Sequence, residues 1–168
     1  KIEAVQNAPR PVTKSQLRSY LCLTGYYRSY IPNYAMVAAP LPDRTKKGEP
    51  NKLRWHESQE IAFQALKSAL SSKHCLKIAE LDQPFWVRTD ASKHCVGGVL
   101  MQKDEMFGNK LRPVAYASRR TTLSERNYSA PELECLAVVW CVLKFIDYLM
   151  IQKFTLITDH SALRWLLG

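Results

Sequence analysis

Apolar positions recur with two different periods along this chain, and the two periods separate predicted helices from predicted strands. Residues Glu57–Leu70 carry apolar side chains at every third or fourth position, which predicts an amphipathic helix. Residues 15–28 show the same spacing, with Ser15 as the candidate N-cap, and Pro32 fits the first turn of a further short helix. The first third of the chain is therefore predicted to be helical.

After Pro84 the pattern changes to short segments rich in β-branched and aromatic residues, which is typical of strands. Three of them follow one another with short polar connections, Pro84–Asp90, Gly97–Gln102 and Leu111–Ser118. An antiparallel meander is the simplest arrangement of three strands joined in this way.

A long apolar helix and a fourth strand are predicted next. Ser129 and Glu132 match a capping box, so a helix is expected from Ser129 to about Tyr148. Because it is apolar almost all round, it is expected to be buried on more than one side. A strand at Lys153–Asp159 and a helix beginning at Ser161 follow. With the fourth strand parallel to the first, the prediction is a mixed α/β sheet.

Charge divides the chain unevenly. Residues 1–54 hold ten Lys and Arg against three Asp and Glu, whereas residues 55–168 hold fourteen against twelve. We therefore predict a basic helical part at 1–54, an amphipathic connecting helix with a short strand at 55–82, and a sheet domain at 83–168. A basic module favours a polyanionic partner, with nucleic acid first, although a solvated charged surface is the ordinary alternative.

The remaining composition narrows the class of protein. No stretch approaches the length of a membrane span, and the N-terminal residues lack a signal-peptide pattern. Five cysteines without a Cys-x-x-Cys pair favour a reducing, intracellular setting over a secreted one or a zinc site. The chain begins with Lys and ends in an apolar run, so it is expected to be a fragment of a longer protein.

Three carboxylates are the candidate chemistry. Asp90 and Asp159 each end an apolar strand after a threonine, and Glu134 lies near the start of the apolar helix. If the two strands are parallel neighbours, all three meet at one sheet edge, where a hard divalent cation, most often Mg²⁺ acting on phosphate, would stabilise them. Each aspartate also has an ordinary interpretation, Asp90 as a turn residue and Asp159 as an N-cap.

The same residues lie in a series of motifs that closely resembles the ribonuclease H domain of gypsy-class retrotransposon polyproteins. Upstream, Leu23–Tyr34 and Trp55–Leu70 resemble the segment that joins the reverse transcriptase polymerase to that domain. The ribonuclease H motifs run in the family's order: Thr89–Ser92, Pro113–Arg119, Glu125–Ser129, Glu134–Trp140 and Thr158–Leu166.

This resemblance implies a fold, a reaction and a site. The fold would be a ribonuclease H-like mixed sheet, a three-strand antiparallel meander plus a parallel fourth strand, preceded by a small helical thumb or connection segment. The reaction would be cleavage of the RNA strand of an RNA–DNA hybrid with two Mg²⁺ ions, for which Mn²⁺ could substitute. Asp90, Glu134 and Asp159 would be the catalytic, metal-binding residues, and the family pattern Glu-x-Leu-Ala selects Glu134 over Glu132.

Other expectations concern binding and completeness. Arg18, Tyr27 and Arg28 interleave aromatic and basic side chains and are candidate nucleic-acid contacts, as are Ser92 and Arg119 within the matching motifs. The partners implied are the hybrid and the rest of the Pol polyprotein, in the cytoplasm, a retroelement particle or the nucleus. The family's fourth acidic residue would lie beyond Gly168, so weak or no cleavage and marginal stability are expected. A catalytically inactive remnant that binds nucleic acid or a partner is the alternative function.

Overall fold

The computed structural model describes residues 2–71 and 76–158. It divides the chain into two compact units, Lys1–His74 and Cys75–Gly168. The segment 55–82, which the sequence suggested as a separate connection, is thus shared between the two units. Its amphipathic helix packs within the first unit, because its apolar face supplies much of that unit's core. Its residues 76–82 form no strand and belong to the second unit.

The first unit is helical, as its apolar spacing predicts. It contains α1 (Ile2–Gln6), α2 (Lys14–Tyr26), α3 (Tyr34–Val37) and α4 (Glu57–Ser71). Helix α2 begins after Thr13 rather than at Ser15, because the Thr13 hydroxyl accepts the backbone N–H of Gln16 at 3.3 Å while the Gln16 side chain accepts the Thr13 N–H. The core of the unit includes Leu17 and Ile31 and, from α4, Phe63 and Leu66.

The second unit contains the predicted mixed sheet. Its strands are β1 (Phe85–Ala91), β2 (Cys95–Asp104), β3 (Lys110–Arg120) and β4 (Phe154–Ile157), in the order β3-β2-β1-β4. The first three are antiparallel neighbours, and β4 runs parallel to β1 with Phe154 beside Phe85. This confirms the α/β fold with a three-strand meander and a parallel fourth strand.

One helix covers one face of this sheet. It runs as α5 (Ala130–Lys144) and, after a break at Phe145, as α6 (Ile146–Leu149), where the sequence predicted a single helix to Tyr148. At Phe145 the backbone leaves the helical region, with ψ at 13°. Burial on more than one side was wrong for part of α5, since Val139 is 52% exposed and Leu143 is 63% exposed. The apolar surface of α5 is therefore larger than the part that the described sheet buries.

The core between sheet and helix is built from alternate strand positions. Phe85 and Val87 of β1 and Leu100 of β2 lie in one hydrophobic cluster with Cys141 and Phe145, and all five side chains are buried. No described helix is long and apolar enough to cross a membrane. The helix predicted from Ser161 lies outside the described residues.

Candidate active site

Asp90 lies at the carboxyl end of β1 and is exposed to solvent. It is the second-last residue of the strand and pairs with Gly97 of β2. Its neighbour Thr89 pairs with Gly98 and is buried. Because strand side chains alternate, Thr89 faces the helix and Asp90 lies on the other face, at the open end of the strand. The Asp90 carboxylate is therefore accessible to a ligand.

Helix α5 runs antiparallel to β1. The first turns of α5 therefore lie toward the end of β1 that carries Asp90. The Tyr148 ring packs 5.9 Å from the Phe85 ring, at the start of β1. Further along, a Cβ placed on Gly98 would lie only 2.7 Å from the Cys141 sulfur. The helix therefore packs directly against the backbone of β2 at this position, where the strand has no side chain. Glu134 lies two helical turns before Cys141, in the direction in which β1 ends.

Glu134 is half-buried, and its Oε2 atom is removed from solvent. The neighbouring acid has another function, because Glu132 Oε2 accepts both the backbone N–H and the hydroxyl of Ser129 at 2.7 Å. These hydrogen bonds lower the pKa of Glu132 and complete the predicted capping box. The cap fixes where α5 begins and leaves Glu134, two residues later, outside it.

The structure thus brings Asp90 and Glu134 to the same end of the sheet. Asp159, the third predicted carboxylate, lies outside the described residues. Within residues 2–71 and 76–158 there is no group of three or more His, Cys, Asp or Glu side chains placed to hold a metal ion. The donor type nonetheless fits Mg²⁺, which prefers carboxylate oxygens and few protein ligands.

Two predicted nucleic-acid contacts in this unit have structural partners. The Ser92 hydroxyl accepts the backbone N–H groups of His94 and Cys95 and donates to the Cys95 carbonyl, so it shapes the turn between β1 and β2. Arg119 makes a bidentate pair with Glu125, at 2.8 and 2.9 Å. The predicted contact of either residue with nucleic acid stays a prediction.

The predicted contacts of the first unit lie on its surface. Arg18 is exposed and donates to the Thr45 carbonyl at 2.9 Å, and the exposed Arg28 lies over the ring of Tyr34. Tyr27 is half-buried and packs edge-on against Tyr26 and Tyr30. Tyr26 and Tyr30 are exposed residues, at 75% and 48%. Exposed aromatic and basic groups are therefore present on the surface of this unit.

A group of basic side chains near Asp90 was not singled out from the sequence. Lys93 and His94 lie in the turn that follows β1, and Arg120 and Arg126 lie at and after the end of β3. The two loops are joined, because Thr121 donates its hydroxyl to the Lys93 carbonyl at 2.6 Å and its N–H to the His94 carbonyl at 3.0 Å. Basic residues at or just after the ends of β1 and β3 were the sequence signal for this group.

Comparison with known proteins agrees with this fold. Residues 55–156 match the family model described as an RNase H-like domain found in reverse transcriptase. The Pol polyprotein from Drosophila melanogaster transposon 297 is 37% identical over 99% of the chain, and that from transposon gypsy is 34% identical over 97%. The chain spans only 15% and 16% of these two relatives.

Solved structures show the same fold. A foamy viral protease-reverse transcriptase bound to double-stranded DNA superposes with a TM-score of 0.81 at 22% identity, covering 98% of this chain and 34% of that one. The same viral enzyme bound to an RNA/DNA hybrid gives a TM-score of 0.75 at 24% identity, covering 97% of this chain and 22% of that one. At these identities the likeness establishes the architecture of the chain.

Proposed function

We propose that this chain, which belongs to the family of RNase H-like domains found in reverse transcriptase, cleaves the RNA strand of RNA–DNA hybrids in a metal-dependent reaction. The observation that carries the proposal is the position of Asp90 and Glu134 at the same end of an RNase H-like sheet. In a longer polyprotein the cleavage would accompany RNA-directed DNA synthesis inside the cell.

Asp90 and Glu134 would hold the metal, with Asp159 as the proposed third ligand. Two Mg²⁺ ions, or Mn²⁺ in their place, would supply activated water and stabilise the charge that develops on phosphate. Asp90 offers an exposed carboxylate at the strand end, whereas Glu134 is half-buried and is carried by a helix whose start is fixed by its cap. The chain's own contribution is therefore to hold these carboxylates in place while one side remains open to the substrate.

The basic loops beside Asp90 would bind the phosphates of the hybrid. Lys93, His94 and Arg126 lie in the two joined loops at this end of the sheet, and Arg120 is the last residue of β3. Such contacts position a duplex without reading its sequence, which suits a nuclease that cuts many hybrids. The foamy viral enzyme, whose fold this chain shares, was solved with an RNA/DNA hybrid.

Cleavage of a hybrid with labelled RNA, with and without Mg²⁺, tests the proposal. Asp90→Asn and Glu134→Gln should abolish cleavage while leaving hybrid binding intact, since each retains its shape and loses its charge. Glu132→Gln is the matched control: it changes a glutamate of the same helix that serves the cap, so it should lower stability and spare cleavage.

Binding without cleavage would point to the other candidate function. If the wild-type chain binds the hybrid but cuts it no faster than Asp90→Asn does, the nuclease proposal is wrong. The chain would then be a non-catalytic nucleic-acid-binding module, and neutralising the basic loops would still weaken binding and reduce its salt dependence.

A further inference from the structure

Arg119 and Glu125 form a bidentate ion pair in the second unit. Both terminal nitrogens of Arg119 donate to Glu125, and one of them also donates to the Arg120 carbonyl at 3.1 Å. Glu125 in turn accepts the backbone N–H of Thr122 at 2.8 Å. The pair is mostly shielded from water, with side-chain exposures of 26% and 15%. Charge-assisted bidentate bonds of this kind fix geometry as well as adding stability.

The same guanidinium also contacts helix α5. Its central carbon lies 5.7 Å from the centre of the Trp140 ring, within range of a cation–π interaction. Arg119 is also close enough to Cys141 to influence the pKa of its thiol, which burial raises to about 12. One side chain at the end of β3 therefore joins the sheet, the following loop and the middle of α5.

These contacts control how the chain enters α5. The connection from β3 is anchored at Thr121 by the turn after β1, in its middle by Glu125, and at Ser129 by the capping box. The Arg119 pair also touches the body of the helix, through Trp140. A change at Arg119 would therefore allow α5 to shift along or rotate over the sheet, and Glu134 would shift with it.

We propose that Arg119 is a positioning residue that fixes α5, and thereby Glu134, relative to Asp90. The expected effect on metal binding and cleavage rests on the proposed nuclease function, whereas the positioning of α5 by Arg119 does not. It also gives Arg119 a different role from the nucleic-acid contact expected from the sequence, since both of its terminal nitrogens already donate within the protein.

The chain offers a matched control on the same strand. Arg112 pairs with Asp104 at 2.7 Å and stacks 4.1 Å from the centre of the Phe107 ring, with side-chain exposures of 23% and 11% in the pair. It thus has similar chemistry and burial to Arg119, but it lies at the opposite end of the sheet from Asp90. Arg119→Lys and Arg112→Lys should therefore cost similar stability, while only the first should disturb the metal-binding end.

Two measurements on the 168-residue chain test this. The first is amide hydrogen exchange in the first turns of α5, at Leu133–Ala137, which should become faster in Arg119→Lys and stay unchanged in Arg112→Lys. The second is the Mg²⁺ concentration that gives half-maximal hybrid cleavage, which should rise about tenfold or more in Arg119→Lys, with the KM for hybrid unchanged.

The outcomes separate the alternatives. An Arg119→Lys variant with unchanged exchange in α5 overturns the inference, and so does one that raises the KM for hybrid without changing the Mg²⁺ requirement, because a phosphate contact would do that. Equal effects of the two substitutions would show a general loss of stability and overturn it too. If the wild-type chain does not cleave, the proposed function fails, and the exchange measurement still decides whether Arg119 positions α5.

Discussion

Replacing Gln102 with leucine tests how the segment before β1 is held against the sheet. Gln102 lies in β2 with no exposed surface. Its amide accepts the Glu80 N–H at 2.9 Å and donates to the carbonyls of Glu80 at 2.7 Å and Gln83 at 3.1 Å. One side chain thus supplies three hydrogen bonds to the irregular segment that precedes β1.

The expected cost follows from those bonds. Each contributes about 0.5–1.5 kcal/mol net, so the three together give about 1.5–4.5 kcal/mol. Glu80 and Gln83 are exposed residues, so water can reach part of the freed backbone, and leucine retains apolar volume in the core. We therefore expect Gln102→Leu to lower the free energy of unfolding of the second unit by about 2–3 kcal/mol. For a unit of this size that corresponds to a fall in Tm of about 8–24 °C.

Urea unfolding of the variant, followed by tryptophan fluorescence, measures the change in free energy, and amide exchange of the Glu80 N–H reports the lost bond locally. Gln152→Leu is the control, because Gln152 is exposed in the same unit and should change the free energy by less than about 0.5 kcal/mol. If Gln102→Leu behaves like this control and the Glu80 amide keeps its protection, the three hydrogen bonds of Gln102 do not hold the segment before β1.

Three further outcomes are expected. Gly98→Ala should destabilise the second unit by about 1–3 kcal/mol, because its Cβ would meet the Cys141 sulfur and a backbone carbonyl at 2.7 Å. Gly25→Ala in α2 should not destabilise its unit, because its Cβ would meet only the Tyr34 hydroxyl, at an ordinary contact distance of 3.7 Å. Equal loss of stability in the two variants would contradict this. Arg119 lowers the pKa of Glu125 to about 2, so the stability from this pair is complete above pH 4.5 and is lost as the pH falls toward 2. The difference in Tm between wild type and Glu125→Gln should therefore shrink over that pH range. A constant difference in Tm would count against the pair. If the exposed Tyr26 ring stacks on bases, Tyr26→Ala should weaken hybrid binding by about 1–3 kcal/mol in a titration and leave the Tm unchanged. An unaltered affinity would exclude the contact.

Local sequence signals were sufficient for most of the fold. The period of apolar residues placed α4 within one residue of its observed end, and β-branched runs located all four strands. The capping box at Ser129 and Glu132 also formed as expected. Such features depend on residues three or four positions apart or on a single strand, so the sequence carries them directly.

The candidate site was determined by sequence only in its residue types. A strand ending in Asp90 and a helix carrying Glu134 beyond a capped start could be proposed from pattern and resemblance, and the parallel pairing of β4 with β1 is the arrangement that the proposal required. The tertiary structure decided what pattern could not reach: the crossing of α5 over Gly98, the stacking of Arg119 on Trp140, and the burial of Gln102 against Glu80. Each of these contacts joins residues about 20 or more positions apart, so it exists only once the sheet and the helix have packed together.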